Sequence, residues 1–309
     1  KVAERKALEF EYKGNNVVSM PLPSSGGLLL AQMLRMASFE NLEKYQQNST
    51  KAVQIMAEAE RRAFADRAEY MGDPDFIQDK TSYLISDEYL KNRWKSFSFD
   101  KATPSAEVGK IIPQPKESTQ TTHISVLDKD GNAASVTTTL NGYYGSKVLV
   151  SGAGFFLNNE MDDFSIKPGV PNMFGAVGGE ANSIQPNKRM LSSMTPTILL
   201  KNGKPYMVVG TPGGTTIPTS VYQSIVNVVD FKLNANISVN APKFHHQWLP
   251  ETITVENNFP ESTIAELKSK NYVIEKTKYI GKTEIIVIDE NGNIHAVADG
   301  RGDDSVAVE

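Results

Sequence analysis

Three segments in the second half of the chain share one pattern, and this pattern limits the folds that the sequence can adopt. Each segment is a run of β-branched and apolar residues, then a polar turn containing glycine, then a second such run. The turns contain Asp130-Gly131, Asn202-Gly203 and Asn291-Gly292, dipeptides typical of tight β-hairpins. The first turn, DKDGN, also resembles the start of a calcium-binding loop, but no Glu stands at the closing position. A hairpin is therefore the favoured interpretation.

Segments with helical periodicity lie before the first hairpin and between the second and third hairpins. Residues 1–100 are predicted to be mostly helical, with Ser24 and Ser25 as N-cap candidates ahead of an apolar run. Two further helices are expected between the second and third hairpins. The stretch 101–120 contains three prolines, several charges and little periodicity, which is typical of an exposed loop or linker where chains are cut. Strand pairs combined with packed helices predict a layered α+β architecture.

Composition excludes several classes of function. The absence of cysteine excludes disulfides, thiolate metal sites and a cysteine nucleophile. A net charge of -4 without a long Lys/Arg run gives no electrostatic reason to expect nucleic acid as a partner. No stretch approaches the roughly 18–20 apolar residues of a membrane helix. Because the chain begins at Lys1, we interpret it as a fragment or a processed product of a longer protein.

Metal and nucleotide cofactors are not expected either. The GxSxG, GxxxxGK[ST], GxGxxG and HExxH motifs are absent. His245 and His246 are adjacent, so their side chains would diverge in a helix or a strand, and packing explains them better than metal binding.

Four polar clusters lie in glycine-rich or apolar surroundings, at 137–141, 157–164, 186–197 and 209–218. Each has a structural explanation: the outer face of a strand, a solvated turn, a helix cap and a tight turn. Together they supply hydroxyl groups, a carboxylate pair and bare backbone amides, the groups needed for acyl transfer on a substrate with a charged amino group. Thr121 lies just before the first hairpin, and its hydroxyl is a nucleophile only if a nearby base takes its proton.

These motifs, in this order, resemble the γ-glutamyltranspeptidases, a family of N-terminal-nucleophile hydrolases. The resemblance runs from Thr121 to the C-terminus and upstream through SMPLPSSGG and IMAEAERRAFADRAEYMGDPDF. It implies an αββα sandwich with a helical N-terminal segment. It also implies that residues 1–120 are the C-terminal portion of a large subunit, that residues 121–309 are the small, catalytic subunit, and that the first part of the large subunit precedes this chain.

The resemblance implies an autocatalytic activation. The chain is expected to cleave itself between Gln120 and Thr121, which frees the α-amino group of Thr121. A free α-amino group titrates at about 7.7–8.0, close enough to neutrality to act as the general base for the adjacent hydroxyl. Thr121 would then attack the γ-carbonyl of glutathione or a related γ-glutamyl amide and form an acyl-enzyme, which water or the amine of an amino acid resolves.

Other residues match catalytic positions of the family. Gly213 and Gly214 correspond to the oxyanion hole, where one donor typically contributes roughly 3 kcal/mol to barrier lowering. Thr139 corresponds to a residue bonded to the nucleophile.

The remaining matches concern substrate binding. Asn141, Glu160 and Asp163 correspond to residues that hold the α-amino group, for which carboxylates are suited. Ser192 and Ser193 correspond to hydroxyls that bind the α-carboxylate.

Alternatives remain open at the level of substrate and activity. Relatives that depolymerise poly-γ-glutamate or deacylate β-lactam side chains share the Thr nucleophile. A lid-like segment at 168–183 favours small γ-glutamyl substrates, because relatives that act on polymers tend to lack the lid. Phe174 in this segment stands where several bacterial members have a tyrosine, so the hydrogen bond of the phenol toward Asn141 is lost and lid closure would depend on packing. The family's carboxylate-binding arginine belongs to upstream sequence, so a catalytically silent fragment lacking its partner segment is the hypothesis from another class. The resemblance also implies a periplasmic or secreted protein.

Overall fold

A computed structural model describes residues 2–109, 120–165 and 179–308. The strands are β1 Leu8–Tyr12, β2 Asn15–Ser19, β3 Thr121–Leu127, β4 Ala133–Thr139, β5 Thr197–Lys201, β6 Lys204–Gly210, β7 Phe244–His245, β8 Ile253–Glu256, β9 Ile274–Thr277, β10 Glu284–Ile288 and β11 Ile294–Val297. The helices are α1 Gly26–Ala37, α2 Thr50–Tyr70, α3 Thr81–Leu84, α4 Asp87–Trp94, α5 Ser105–Val108, α6 Thr216–Val229, α7 Ala235–Asn240 and α8 Glu261–Ser269.

The main sheet has six strands in the order β1-β2-β5-β6-β10-β11, and all its pairs are antiparallel. The three predicted hairpins are present as β3–β4, β5–β6 and β10–β11. In the centre of the sheet, β2 pairs with β5, with Ser19 opposite Thr197. Segments on both sides of Thr121 therefore contribute strands to one sheet.

The β3–β4 hairpin packs on one face of this sheet and helices cover the other. Ser135 on β4 donates a hydrogen bond from Oγ to the carbonyl of Val209 on β6, at 3.1 Å. On β6, Met207 and Val209 join the buried core formed with α1, α2 and α6. The alternation of side chains along a strand therefore turns Val208 and Gly210 toward the hairpin. A small sheet of β7, β8 and β9 lies beside α8.

The α+β prediction is confirmed, and three of the four layers of the predicted sandwich lie within the described residues. Their order is helices, six-stranded sheet, hairpin. The outer face of the hairpin carries Ile124, Val126 and Val136, which are 54%, 47% and 49% exposed. This hairpin face is open to solvent.

The N-terminal segment contains the helices α1 to α4, as predicted, but it also contains two strands that its sequence did not indicate. It begins with a hairpin, β1–β2, whose turn places Lys13 and Gly14 at φ 48° and 77°. Pairing of β2 with β5 stabilises this hairpin, and the sequence of residues 1–100 alone does not reveal that partner. The predicted loop at 101–120 also contains the short helix α5, where Ser105 Oγ donates to the Trp248 carbonyl at 2.8 Å.

Candidate active site

The candidate nucleophile lies at the open end of the β3–β4 hairpin, where Thr121 pairs with Thr139. The Thr139 hydroxyl donates to the carbonyl oxygen of Gln120 at 2.7 Å, and it accepts a hydrogen bond from the backbone N–H of Asn141 at 2.9 Å. Thr121 Oγ1 donates to Thr139 Oγ1 at 3.4 Å. The Thr139 hydroxyl is thus the junction between the candidate nucleophile and the carbonyl group of the preceding peptide.

Strand alternation distinguishes Thr121 from its neighbour Thr122. Thr121, His123 and Ser125 face the main sheet, whereas Thr122 and Ile124 are exposed. His123 packs against Gly210, where an added Cβ would lie 2.1 Å from the imidazole ring.

His123 is close to Thr121 in sequence, but its imidazole is engaged elsewhere. Its Nδ1 lies 2.8 Å from Thr137 Oγ1 and its Nε2 lies 3.1 Å from Ser125 Oγ. Burial lowers the pKa of the ring to about 4, so the imidazole is neutral at pH 7. We assign it to packing between hairpin and sheet.

The turn between β6 and α6 presents two backbone amides. Gly213 and Gly214 have φ values of 141° and 58°, a region that glycine adopts without steric cost. Within the described part of the chain, neither of these two N–H groups donates a hydrogen bond. They precede α6, a helix of 14 residues, whose N-terminal end favours negative charge. Because Gly210 contacts His123, this turn lies at the same end of the sheet as Thr121.

A second polar group lies before β5, where Ser192 and Ser193 meet α1 and α2. The carbonyl of Ser192 accepts a hydrogen bond from the backbone N–H of Ser25 at 2.8 Å. Arg67 of α2 is buried and donates from Nε to Ser25 Oγ at 3.0 Å and from Nη2 to Ser193 Oγ at 3.2 Å. Ser25 precedes α1, as predicted, but its hydroxyl makes no cap hydrogen bond and instead donates to the Ser192 carbonyl at 2.8 Å.

Sequence reasoning missed Arg67. Its only local signal is a basic residue in the helical stretch AERRAFADRAEYM, which an exposed helix face would also explain. Its placement beside Ser193 comes from the packing of α2 against the segment before β5.

The third group begins with Asn141, which directly follows β4. Asn141 is buried with φ 69°, and its Nδ2 donates to the carbonyl of Asn159 at 3.3 Å. Asn159 Oδ1 in turn accepts from the Gly142 N–H at 2.7 Å. These contacts hold Asn141 next to the 3₁₀ turn Glu160–Asp163, where burial raises the pKa of the Glu160 carboxyl above its usual value.

The 3₁₀ turn Glu160–Asp163 is also hydrogen-bonded to the segment that contains Ser192 and Ser193. Asn182 Nδ2 donates to the carbonyl of Asp163 at 2.7 Å, and Asn182 Oδ1 accepts from the N–H of Leu191 at 3.0 Å. Ser192 follows directly. The structure therefore links Thr121, Thr139 and Asn141 to the Glu160–Asp163 turn and to Ser192 through short hydrogen-bonded steps. Among the described residues, this series does not include Gly213 and Gly214. Residues 166–178, which include Phe174 and most of the lid-like segment, lie outside the described residues.

Comparisons with known proteins identify the family of the chain. A family model described as gamma-glutamyltranspeptidase matches residues 1–309. The chain belongs to the gamma-glutamyltranspeptidase family. It is 46% identical over 308 residues to a glutathione hydrolase proenzyme of Escherichia coli, covering 99% of this chain and 53% of that protein. The chain thus spans about half the length of the curated relatives that it matches.

Solved structures extend the family assignment to the fold. A mutant of Helicobacter pylori gamma-glutamyltranspeptidase superimposes with a TM-score of 0.56 at 49% identity, covering 59% of this chain and 100% of that chain. A cephalosporin acylase from Bacillus halodurans superimposes with a TM-score of 0.77 at 25% identity, covering 97% of this chain and 52% of that chain. This member of the gamma-glutamyltranspeptidase family thus shares its fold with a gamma-glutamyltranspeptidase and a cephalosporin acylase.

Two further findings concern metals and membranes. Among the described residues, no three His, Asp or Glu side chains are grouped to hold a metal ion. Within the same residues, no helix of this gamma-glutamyltranspeptidase-family chain combines the length and apolar character needed to cross a membrane.

Proposed function

We propose that the protein transfers or hydrolyses the γ-glutamyl group of glutathione and related γ-glutamyl amides through an acyl-enzyme on Thr121, after autocatalytic cleavage between Gln120 and Thr121. The observation that carries the proposal is the hydrogen-bonded series in which Thr121 Oγ1 donates to Thr139 Oγ1 and Thr139 Oγ1 donates to the Gln120 carbonyl oxygen. It brings a hydroxyl nucleophile and a polarised amide carbonyl to the same point.

Cleavage follows from this geometry. Attack of Thr121 Oγ1 on the Gln120 carbonyl carbon forms a C–O bond and breaks the peptide C–N bond, while the hydroxyl proton passes to the Thr121 nitrogen. The hydrogen bond from Thr139 stabilises the oxyanion that develops on Gln120. Water then hydrolyses the ester, which leaves the Gln120 carboxylate and a free Thr121 α-amine.

The same Thr121 hydroxyl serves in turnover. The new α-amine accepts the hydroxyl proton as Oγ1 attacks the γ-carbonyl of the donor. The N–H groups of Gly213 and Gly214 would receive the oxyanion, and the departing amine takes the proton. Water or an amino-acid amine then repeats the attack on the ester.

Two charged ends of the donor fit two groups in the site. The carboxylates of Glu160 and Asp163 would bind the α-ammonium group, with the amide oxygen of Asn141 as a further acceptor. The hydroxyls of Ser192 and Ser193 would bind the α-carboxylate.

The buried side chain of Arg67, which contacts Ser193, supports this assignment. Its guanidinium already donates to Ser193 Oγ, so the Ser193 hydroxyl proton points away from Arg67 and is left for a substrate oxygen. A buried positive charge behind the hydroxyls also favours binding of an anion.

The whole protein is proposed to need sequence beyond this chain, since the related proenzyme is about twice as long. The exposed apolar face of the β3–β4 hairpin is consistent with that requirement. We further propose a periplasmic or secreted location, because relatives of this family act there. A second candidate function, hydrolysis of an acyl amide such as a β-lactam side chain, is favoured by the likeness to the cephalosporin acylase.

The test is intact-mass analysis of the full-length protein and its Thr121→Ala and Thr121→Ser variants. Wild type should give two polypeptides divided before Thr121, the alanine variant should remain one, and the serine variant should be cleaved because it keeps a hydroxyl group. Cleaved wild type should then release glutamate from glutathione. A wild-type protein that stays uncleaved indefinitely contradicts the proposal, and cleaved protein that acts on acyl amides or poly-γ-glutamate but not on glutathione supports the alternatives.

A further inference from the structure

The turn that carries Gly213 and Gly214 is anchored by the next residue, Thr215, to which the sequence analysis assigned no role. Thr215 follows Gly214 and is already helical in backbone conformation, at φ -63° and ψ -17°. Its side chain makes no helix-cap hydrogen bond. Instead, Thr215 Oγ1 donates to Gln247 Oε1 at 2.6 Å. This bond joins the start of α6 to a segment more than one element away along the chain.

Gln247 makes a second hydrogen bond, as a donor, and this bond fixes the orientation of its side chain. Its Nε2 donates to the carbonyl of Leu249 at 3.2 Å, so Oε1 is the atom that faces His245 and Thr215. The Nε2 of His245 lies 2.8 Å from this oxygen and must therefore donate to it. The other ring nitrogen, Nδ1, lies 2.9 Å from Thr219 Oγ1 on α6. The His245 ring and Gln247 together thus connect Thr215, at the start of α6, to Thr219, one turn further along the helix.

The residues around this hydrogen-bond network are buried and are held by several contacts. His245 and Thr219 are 6% and 0% exposed, and the His245 ring packs edge-on against Phe64 with centroids 5.8 Å apart. The backbone N–H of His246 donates to Glu60 Oε2 on α2 at 2.8 Å. A buried segment fixed at several points can hold a partner in place.

Glycine is the residue with the greatest backbone freedom, and two consecutive glycines would present their N–H groups loosely without a restraint. We propose that His245 and Gln247 are positioning residues, which hold the Gly213–Gly214 turn through the hydroxyl of Thr215. The catalytic part of this inference rests on the proposed function, in which those two amides receive the oxyanion. Since an oxyanion forms only during reaction, the restraint should affect kcat rather than KM.

The test uses four single variants and one double variant, Thr215→Val with Gln247→Met, of the full-length protein in its cleaved form. Thr215→Val removes the hydroxyl at nearly constant shape, Thr215→Ser restores it, and Gln247→Met removes the acceptor. Thr263→Val is the matched control, because Thr263 is a buried threonine on α8 whose hydroxyl donates to the Asn48 carbonyl at 2.8 Å. The measurements are kcat and KM with a chromogenic γ-glutamyl anilide and hydrogen exchange of a peptide covering 211–218.

Thr215→Val and Gln247→Met should each lower kcat about tenfold with KM within about twofold, and should speed exchange in the peptide about tenfold. The double variant should be no worse than either single variant, because both remove one interaction. Thr215→Ser should recover kcat and exchange protection.

The outcomes separate the two proposals. If wild type turns over the anilide and Thr215→Val matches Thr263→Val in both measurements, or if the two losses add, the positioning proposal is overturned while the proposed function stands. If wild type fails to turn over γ-glutamyl donors but the exchange pattern appears, the restraint on the turn is supported and the proposed function fails.

Discussion

The turn of the β3–β4 hairpin and the candidate active site near the other end of the hairpin, here called the site end, differ in how far along the chain their hydrogen bonds reach. At the turn end, Asp128 Oδ1 accepts from the N–H of Asn132, a separation of 4 residues. The neighbouring β10–β11 turn repeats this bond with Asp289 and Asn293, again 4 residues apart. At the site end, Arg67 reaches Ser193 across 126 residues.

This difference shows which hydrogen bonds depend on the packing of the whole fold. The turns supply their own acceptors and donors, so each forms wherever its few residues are present. At the site end, the hairpin itself pairs Thr121 with Thr139, but Ser193 and the Gly213–Gly214 turn are positioned by elements from distant parts of the sequence and are aligned only when the layers have packed. Changes at the site end should therefore have larger consequences than chemically similar changes at the turns.

The largest effect is expected at Arg67. Arg67→Met removes the buried guanidinium group and its hydrogen bonds to Ser25 and Ser193, so both hydroxyls lose their charged partner. Loss of hydrogen bonds to a charged group should raise KM for the γ-glutamyl donor about 100-fold, with a smaller fall in kcat. Steady-state kinetics on cleaved full-length protein measure this.

Arg67→Lys is the matched control, because it keeps the charge but loses the fork that spans both serines. It should lie between wild type and Arg67→Met. An Arg67→Met enzyme with normal KM, a normal Tm and complete cleavage would contradict the role assigned to Arg67.

The next largest effect is a difference in stability between two glycine substitutions, at Gly210 beside the candidate site and at Gly131 in the β3–β4 turn. In Gly210→Ala the new methyl group would lie 2.1 Å from the His123 ring, so hairpin and sheet must separate, at a cost of about 2–3 kcal/mol of unfolding free energy. Gly131 in the β3–β4 turn has φ 85°, and a methyl group added there would have no neighbouring atom within 4 Å. Gly131→Ala should therefore cost only about 1 kcal/mol of backbone strain.

Urea unfolding of the two variants measures this difference. Equal losses of stability would mean that contact between His123 and Gly210 does not hold the hairpin on the sheet.

The same contrast decides what the sequence could predict. The three hairpins were predicted because Asp-Gly and Asn-Gly turns act through neighbouring residues. The β1–β2 hairpin was missed because its stability depends on pairing with β5. Motif order led to Thr121 and its proposed partners, but Arg67 and Gln247 act on residues 126 and 32 positions away. Only packing of the layers reveals such contacts.

A smaller effect is expected from pH at Glu160. Burial raises the pKa of its carboxyl, so the carboxylate is lost at a higher pH than for an exposed Glu. Since only the carboxylate attracts the donor's ammonium group, KM should rise as pH falls through this raised pKa.

Glu160→Gln tests this assignment. It should raise KM about fivefold near neutrality, because a charge-assisted hydrogen bond becomes a neutral one, and it should flatten the dependence of KM on pH below neutrality. A variant that keeps the full wild-type pH dependence would show that another group titrates.

The smallest effect is expected at Asp289, in the β10–β11 turn. Hydrogen bonds from the Asn293 side chain, His295 and backbone N–H groups hold the pKa of Asp289 below its usual range, but all these partners are local and solvent-exposed. Asp289→Ala should therefore leave kcat and KM unchanged and shift Tm by no more than about 2 °C. Thermal unfolding and steady-state kinetics check this, with Asp128→Ala as the equivalent change in the β3–β4 turn. A loss of activity in either variant would mean that the turns are coupled to the site through the strands, and the contrast between the two ends would no longer hold.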